Sequence, residues 1–287
     1  MKYFLTLAFM ATHTLTFSQR LHADLYAGIA NYEGDLQGKR FALSNTFTNP
    51  YPAVGLGLSY NLSNRIIARF VVNYLRLGAD DKNNEPGIGI NRRNLNFKTN
   101  IFEGQLGAEY NLLDLSVRSF TPYVFAAVAI YHFNPYSTDT LGNKVFLKPL
   151  STEGQGLAEY PNRKPYALTQ LAIPFGGGVK LALTDKLQVG IELGLRKLFT
   201  DYLDDVSTSY VDSATLFATK GPQAVAFAYR GNEIHGAAGY PAEGSQRGSP
   251  KNKDWYYTAS FRISYLLFAN RDANGFKNRT GCPKSVY

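Results

Sequence analysis

The chain has 287 residues and a mean hydropathy of −0.22, and no apolar run approaches the roughly 20 residues of a membrane-spanning helix, so helical spans are excluded. One cysteine excludes an internal disulfide. The formal charge of +8 comes from scattered Lys and Arg with no basic helix, which argues against nucleic acid and for anionic headgroups or an acidic protein partner. Twenty Tyr and nineteen Phe against a single Trp fit a barrel whose strands face lipid and whose interfaces carry aromatic girdles.

At the N-terminus, Met1-Lys2 precedes the apolar stretch Tyr3 to Ala11, and Thr16 and Ser18 sit where a signal peptidase requires small residues. Residues 1–18 are therefore expected to be a signal peptide. An exported barrel would follow over residues 19–268, with a C-terminal tail over 269–287.

Eight segments then alternate apolar and polar residues between Gly, Asn, Asp and Pro, which is the signature of a half-buried strand. They lie near 21–30, 51–62, 65–77, 99–112, 121–134, 168–183, 187–199 and 255–268. In the fourth, Phe102, Leu106, Ala108, Tyr110 and Leu112 oppose Glu103, Gln105, Glu109 and Asn111. In the seventh, Leu187, Val189, Ile191, Leu193 and Leu195 oppose Gln188, Glu192 and Arg196; the eighth alternates in the same way through Phe261 and Arg262. Soluble strands average about five or six residues, so longer strands with charges recurring on one face favour an inside-out barrel.

The connections alternate in length. Ser63-Asn64, a stretch around Asp114 to Arg118, and Thr184 to Lys186 are short; 31–50, 78–98, 135–167 and 200–254 are long. Bacterial barrels have short periplasmic turns and long extracellular loops. The expected fold is thus an all-β, eight-stranded antiparallel transmembrane barrel in the outer membrane, with both termini periplasmic. A barrel of about eight strands is just wide enough to be filled by its own side chains. The expected lumen residues are Asp24, Arg69, Glu103, Glu109, Lys180, Glu192, Arg196 and Arg262. Equal numbers of acids and cations predict a paired network, not a conducting pore.

No Walker, zinc-ligand or nucleophile-elbow pattern is present. Phe175-Gly176-Gly177-Gly178 lies inside a strand and reads as close packing. Asp201, Asp204 and Asp205 offer oxygen ligands for Ca²⁺ without EF-hand spacing, so an acidic turn above the rim is the simpler reading. His132 with a loop serine such as Ser137 is the arguable pair for a barrel-embedded hydrolase. No catalytic residue, metal site or cofactor is expected.

Four segments carry a resemblance. These are Asn31-Tyr32-Glu33-Gly34-Asp35-Leu36 after the first strand, the run Arg196 to Ser207 containing Asp201-Tyr202-Leu203-Asp204-Asp205, Arg247-Gly248 with Lys253-Asp254-Trp255-Tyr256, and Gly281-Cys282-Pro283-Lys284. They resemble a Bacteroidota family of small outer-membrane barrels similar to the PorG-like barrel of the type IX secretion system. The resemblance runs from the signal segment to the tail. It implies a non-enzymatic protein that anchors a periplasmic ring, made of a lipoprotein and its partner, to the outer membrane.

Related small barrels share the Tyr-x-Gly-Asp and Asp-Tyr-Leu-Asp-Asp elements. The alternative is therefore a freestanding barrel with a structural or surface-binding role, with an outer-membrane hydrolase third. Read locally, Gly34 can adopt positive φ, Asp35 can bond nearby backbone, and both motifs act as fold determinants at the outer rim. A periplasmic partner would then meet the short turns or the basic tail, where Cys282 is a candidate contact. Outer-membrane lipids are the other expected partners.

Overall fold

The computed structural model describes residues 20–37, 50–84, 92–234 and 239–267. The expected signal segment and the tail with Cys282 lie outside them.

Eight long strands close into an antiparallel barrel: β1 (Leu21–Glu33), β2 (Tyr51–Asn61), β3 (Ile66–Asp80), β4 (Asn96–Asn111), β5 (Phe120–His132), β8 (Thr169–Ala182), β9 (Leu187–Leu198) and β10 (Trp255–Leu266). Each pairs with its neighbours, and closure comes from β1 against β10, from His22↔Leu266 to Glu33↔Trp255. A short hairpin, β6 (Tyr136–Thr138) and β7 (Lys144–Phe146), extends β4 beyond the rim through Lys98↔Tyr136.

The barrel is inside out. Leu56 is 67% exposed, Leu106 64% and Phe261 69%, while the alternate positions Asp24, Arg69, Glu103, Glu192 and Arg262 are buried. Since successive side chains of a strand point to opposite faces, one apolar belt and one polar lumen follow from a single alternation. No described helix is long and apolar enough to cross a membrane; the strands present the apolar surface.

The short turns are tied by their own side chains. The Ser63 hydroxyl accepts from the N–H groups of Arg65 and Ile66 at 3.3 and 3.0 Å, and that of Thr184 accepts from Lys186 and Leu187 at 3.2 and 3.0 Å. Asp114 accepts from the Ser116 N–H at 2.8 Å and from Asn64 at 3.0 Å, linking two turns.

At the opposite end the long connections form a folded cap. It contains α1 (Ser213–Lys220) and α2 (Pro222–Ala228), which the strand pattern does not announce. Asp212 caps α1 by accepting from Thr215 N–H at 2.8 Å, Gly221 ends it at φ 84°, and Pro222 starts α2. An Asp followed by a Gly-Pro pair is a helix start and stop signal, obscured by its place between two strands.

β1 also runs farther than expected. Asn31 and Tyr32 lie on the strand itself, because pairing with β10 continues to Trp255. The glycine run is close packing: an added Cβ on Gly178 would clash with Ile191 O and stand 2.8 Å from the Tyr123 hydroxyl. The β5–β8 register passes from Ala126↔Phe175 to Ala129↔Ala172, and Pro174, lacking an N–H, stands in the gap.

Leu106 sits midway along β4, between Phe70 and Val128 on the belt. Leu106→Arg is expected to destabilise the barrel by about 2–4 kcal/mol, read as a lowered urea midpoint for loss of heat-modifiable mobility in lipid vesicles. An unchanged midpoint would mean this face does not meet lipid.

Candidate functional site: the lumen network and the cap

All eight charged residues expected in the lumen are buried. Six form one connected network. Arg69 grips Glu192 through two bonds of 2.8 and 2.9 Å and stands 3.6 Å from Glu109. Glu109 also receives Lys180 and Arg262, and Arg262 reaches Asp24 at 3.1 Å. The Tyr123 hydroxyl donates to Glu192 at 2.9 Å, and the Arg69 guanidinium lies 4.2 Å from the Phe125 ring centroid.

The other two, Arg196 and Glu103, pair at 3.4 Å nearer the cap, where Glu103 also accepts from Asn73 at 2.7 Å and from Tyr256. Four acids thus meet four cations, so no net charge is stranded where desolvation is costly. Toward the cap the lumen becomes apolar: Leu75, Leu77, Phe97, Ile101, Tyr131 and Phe133 are almost completely buried. Charged side chains fill the lower lumen and apolar ones the upper.

The cap joins segments far apart in the chain. The Tyr32 hydroxyl lies 2.5 Å from Asp204 Oδ2 and 3.2 Å from Asp254 Oδ1. Asp35 Oδ2 accepts from Ser249 N–H at 2.7 Å, and Asp204 Oδ1 from Val206 N–H at 2.9 Å. Asp201 accepts from the Ser207 hydroxyl at 2.8 Å, and Asp205 from Tyr166 and Thr152 at 2.7 and 2.5 Å.

Arg247 donates to Glu153 at 3.0 Å, to Asp205 O at 2.6 Å and to Ala228 O at 3.0 Å. Glu153 is fully buried and also accepts from the N–H groups of Ser207 and Thr208, both at 2.9 Å, and from Tyr202 at 3.2 Å. Arg93 ties Asp81 at 2.8 Å to the Asp35 carbonyl at 2.8 Å. The first three resembling segments therefore converge in one buried network.

One local expectation needs correction. Gly34 is not in the positive-φ region; it is small because a Cβ would clash with the Tyr32 hydroxyl and with Asp254 Oδ1. The Asp35 carboxylate accepts from the Ser249 backbone N–H, more than two hundred residues away. Glu153, Arg93 and Asp81 carry no signal in the sequence, since each sits in a loop without periodicity and its partner is remote.

His132 and Ser137 are not paired. His132 faces outward and bonds Thr169 at 2.9 Å, whereas buried Ser137 bonds Asn96 and Arg230 at 2.6 and 2.9 Å. Among the described residues no group of three or more His, Cys, Asp or Glu could hold a metal ion.

The sequence of residues 1–145 matches the family described as Domain of unknown function (DUF6089). None of the curated proteins matches. Similar solved structures include Neisserial surface protein A, 9% identical, covering 86% of this chain and 96% of that one, TM-score 0.40. Ail of Yersinia pestis with the heparin analogue sucrose octasulfate is 7% identical, covering 86% and 98%, TM-score 0.40. A major outer membrane protein of Thermus thermophilus is 12% identical, covering 85% and 98%, TM-score 0.40. At these scores the likenesses carry nothing about function.

The lumen pairing can be tested directly. Arg69→Met alone strands Glu192 and is expected to cost roughly 3–5 kcal/mol; adding Glu192→Leu should recover much of it. Urea unfolding in vesicles measures both, and a double variant as unstable as the single would mean the two side chains do not act as a pair.

The cap makes a prediction of its own. Burial, then the nearby Asp35 charge, pushes Asp204 well above the usual carboxylate range; burial, then Asp204, does the same to Asp254. Asp205 is pushed up to about 6 by burial, against the opposing pull of Arg247. The single Tyr32 hydroxyl lies between Asp204 and Asp254, and burial favours the protonated form of both acids.

These carboxyls bind protons more tightly in the folded cap than in an open loop. Cap stability is therefore full below about pH 4 and declines as pH rises through the raised values. Amide exchange over 201–209 and 245–254, corrected for intrinsic rates, should be faster at pH 8 than at pH 5. Asp254→Asn should flatten that dependence; an equally steep profile in the variant would exclude this acid as its source.

Proposed function

This chain belongs to the DUF6089 family, and we propose that it is a non-enzymatic outer-membrane component of the type IX protein secretion system that anchors a periplasmic ring complex. The carrying observation is the side-chain-filled lumen. Among the described residues, Asp24, Arg69, Glu103, Glu109, Lys180, Glu192, Arg196 and Arg262 fill the lumen with an apolar layer above them, which favours a barrel that conducts no solute. The barrel therefore works through its end faces.

In this reading the short-turn end is periplasmic and the cap external, as loop lengths in bacterial barrels imply. The turns held by Ser63, Asp114 and Thr184 present a firm surface to a ring subunit, and the tail with Cys282 adds a basic arm. The secretion role rests on the PorG-like segments, since nothing in a filled barrel by itself specifies the machine.

A freestanding surface-binding barrel is the alternative. A cleft of about 460 Å³ at the cap rim, lined by Tyr51, Lys82, Asn83, Asn96, Lys98 and Tyr136, favours it.

Single cysteines at Lys82, Gly156 and Gly244, in a Cys282→Ser background, should label on intact cells with an impermeant reagent, and cysteines at Asn64 or Asp185 should not. Deleting residues 270–287 should leave the heat-modifiable barrel intact while releasing periplasmic partners and impairing secretion. Reversed labelling overturns the orientation. Secretion and partner recovery unchanged by the deletion would exclude the tail as the docking element. Failure of full-length protein to recover any ring protein from mildly solubilised membranes would leave the freestanding reading.

A further inference from the structure

The belt is not uniform. On the outward faces of β3, β4, β5 and β8 lies an apolar groove of about 550 Å³, walled by Phe70, Phe102, Leu106, Val128, Ile130 and Leu171. Its floor is Gly104, where an added Cβ would meet no atom within 4 Å. The groove is therefore an open channel along the strands, left by one missing side chain. These six walls are hydrocarbon and exposed, and Gln105, His132 and Thr169 also line the groove.

Toward the cap the same face changes character within two residues. Tyr74↔Phe102 is followed by Arg76↔Asn100 and then Gly78↔Lys98. With about 3.4 Å per residue, the cationic level begins about 7 Å above Phe102. Arg76 Nε donates to Asn100 Oδ1 at 3.1 Å. Among the described residues, its two terminal nitrogens and the Lys98 ammonium have no acidic partner. Asp80, two residues beyond Gly78 on β3, accepts from the Lys82 N–H at 2.9 Å. His132 and Thr169 close the groove's upper edge with their mutual bond. Lys98 also lines the rim cleft above, beside Asn83, Asn96, Tyr51 and Tyr136, whose amides and phenols suit sugar hydroxyls.

Hydrocarbon groove, cations without acidic partners and amide-lined cleft thus follow one another along a single face. We infer that this face binds one phosphorylated glycolipid of the outer leaflet, with an acyl chain in the Gly104 groove and its phosphate between Arg76 and Lys98. A membrane protein partner would have to bring acids to that height and a single narrow apolar ridge below them, whereas a lipid with a phosphorylated sugar head carries both features in one molecule. The inference rests on the reading that the cap is external, because such glycolipids occupy the outer leaflet.

The test uses the full-length barrel, stripped of lipid in detergent, with lipid A as probe and retention read by native mass spectrometry. The wild type should retain one lipid A in preference to phosphatidylglycerol. Gly104→Leu, whose Cβ would meet no atom within 4 Å, should place its side chain in the groove and lower retention at least tenfold while heat-modifiable mobility stays normal. Arg76→Gln with Lys98→Gln should do the same, and Lys197→Gln on β9 should not.

Equal retention of phosphatidylglycerol, or of lipid A without phosphates, overturns the assignment. So does retention that survives both sets of substitutions. A wild-type dimer that Gly104→Leu dissociates would make the groove an interface between copies and overturn it too. Reversed cell-surface labelling would sink this site together with the proposed orientation; lost lipid selectivity with labelling intact would sink the site alone.

Discussion

Pairing of β1 with β10 is the contact on which the rest depends, because it joins residues more than two hundred apart and removes the last free edge of the sheet. In a bilayer an unpaired strand edge has no water to bond, and each orphaned N–H or carbonyl costs several kcal/mol. Closure removes that cost and at the same time creates a lumen. Once the lumen exists, one face of every strand is sequestered from both lipid and solvent, and what those positions carry decides whether the barrel is a pore or a plug.

Here they carry charges in balance. Glu109 lies among Arg69, Lys180 and Arg262, and Glu192 is gripped by Arg69 and Tyr123. Such pairs are not strong sources of stability, since desolvation offsets most of the attraction. They are directional, however. A strand slipped by one residue would turn Arg69 or Glu192 into hydrocarbon, so the network selects the register that closes the barrel. The apolar upper lumen then gives the cap something to pack on: Leu203, Val211 and Leu216 from the long last connection are completely buried with Leu75 and Phe97.

The cap solves a different problem. Its carboxylates are bonded mainly to backbone and hydroxyl groups, and Arg247 and Glu153 form its central ion pair. An acid-rich network gathers around Tyr32, Asp204 and Asp254, where burial strengthens the hold of both carboxyls on their protons. Long loops on membrane barrels need no such organisation to leave the strands paired. That three separated segments bond their polar groups to each other makes the cap a structural unit in its own right.

The eight strands were legible because a period of two is a local property, and each strand carries its own evidence of which side faces lipid. Ser63, Asp114 and Thr184 marked the tight turns for the same reason. The alternation also placed Arg69, Glu109 and Glu192 on one face. It could not say that Arg69 would choose Glu192, because partners on strands 123 residues apart are set by barrel closure. Tyr32, Asp204 and Asp254 stood out as motif residues but not as one another's neighbours, and Glu153 did not stand out at all. Local pattern was enough for the strands, their faces and the barrel. Which charges pair, how the cap folds over the bore, and where a missing side chain opens the belt emerged only in three dimensions, since each depends on distances between segments that no local pattern encodes.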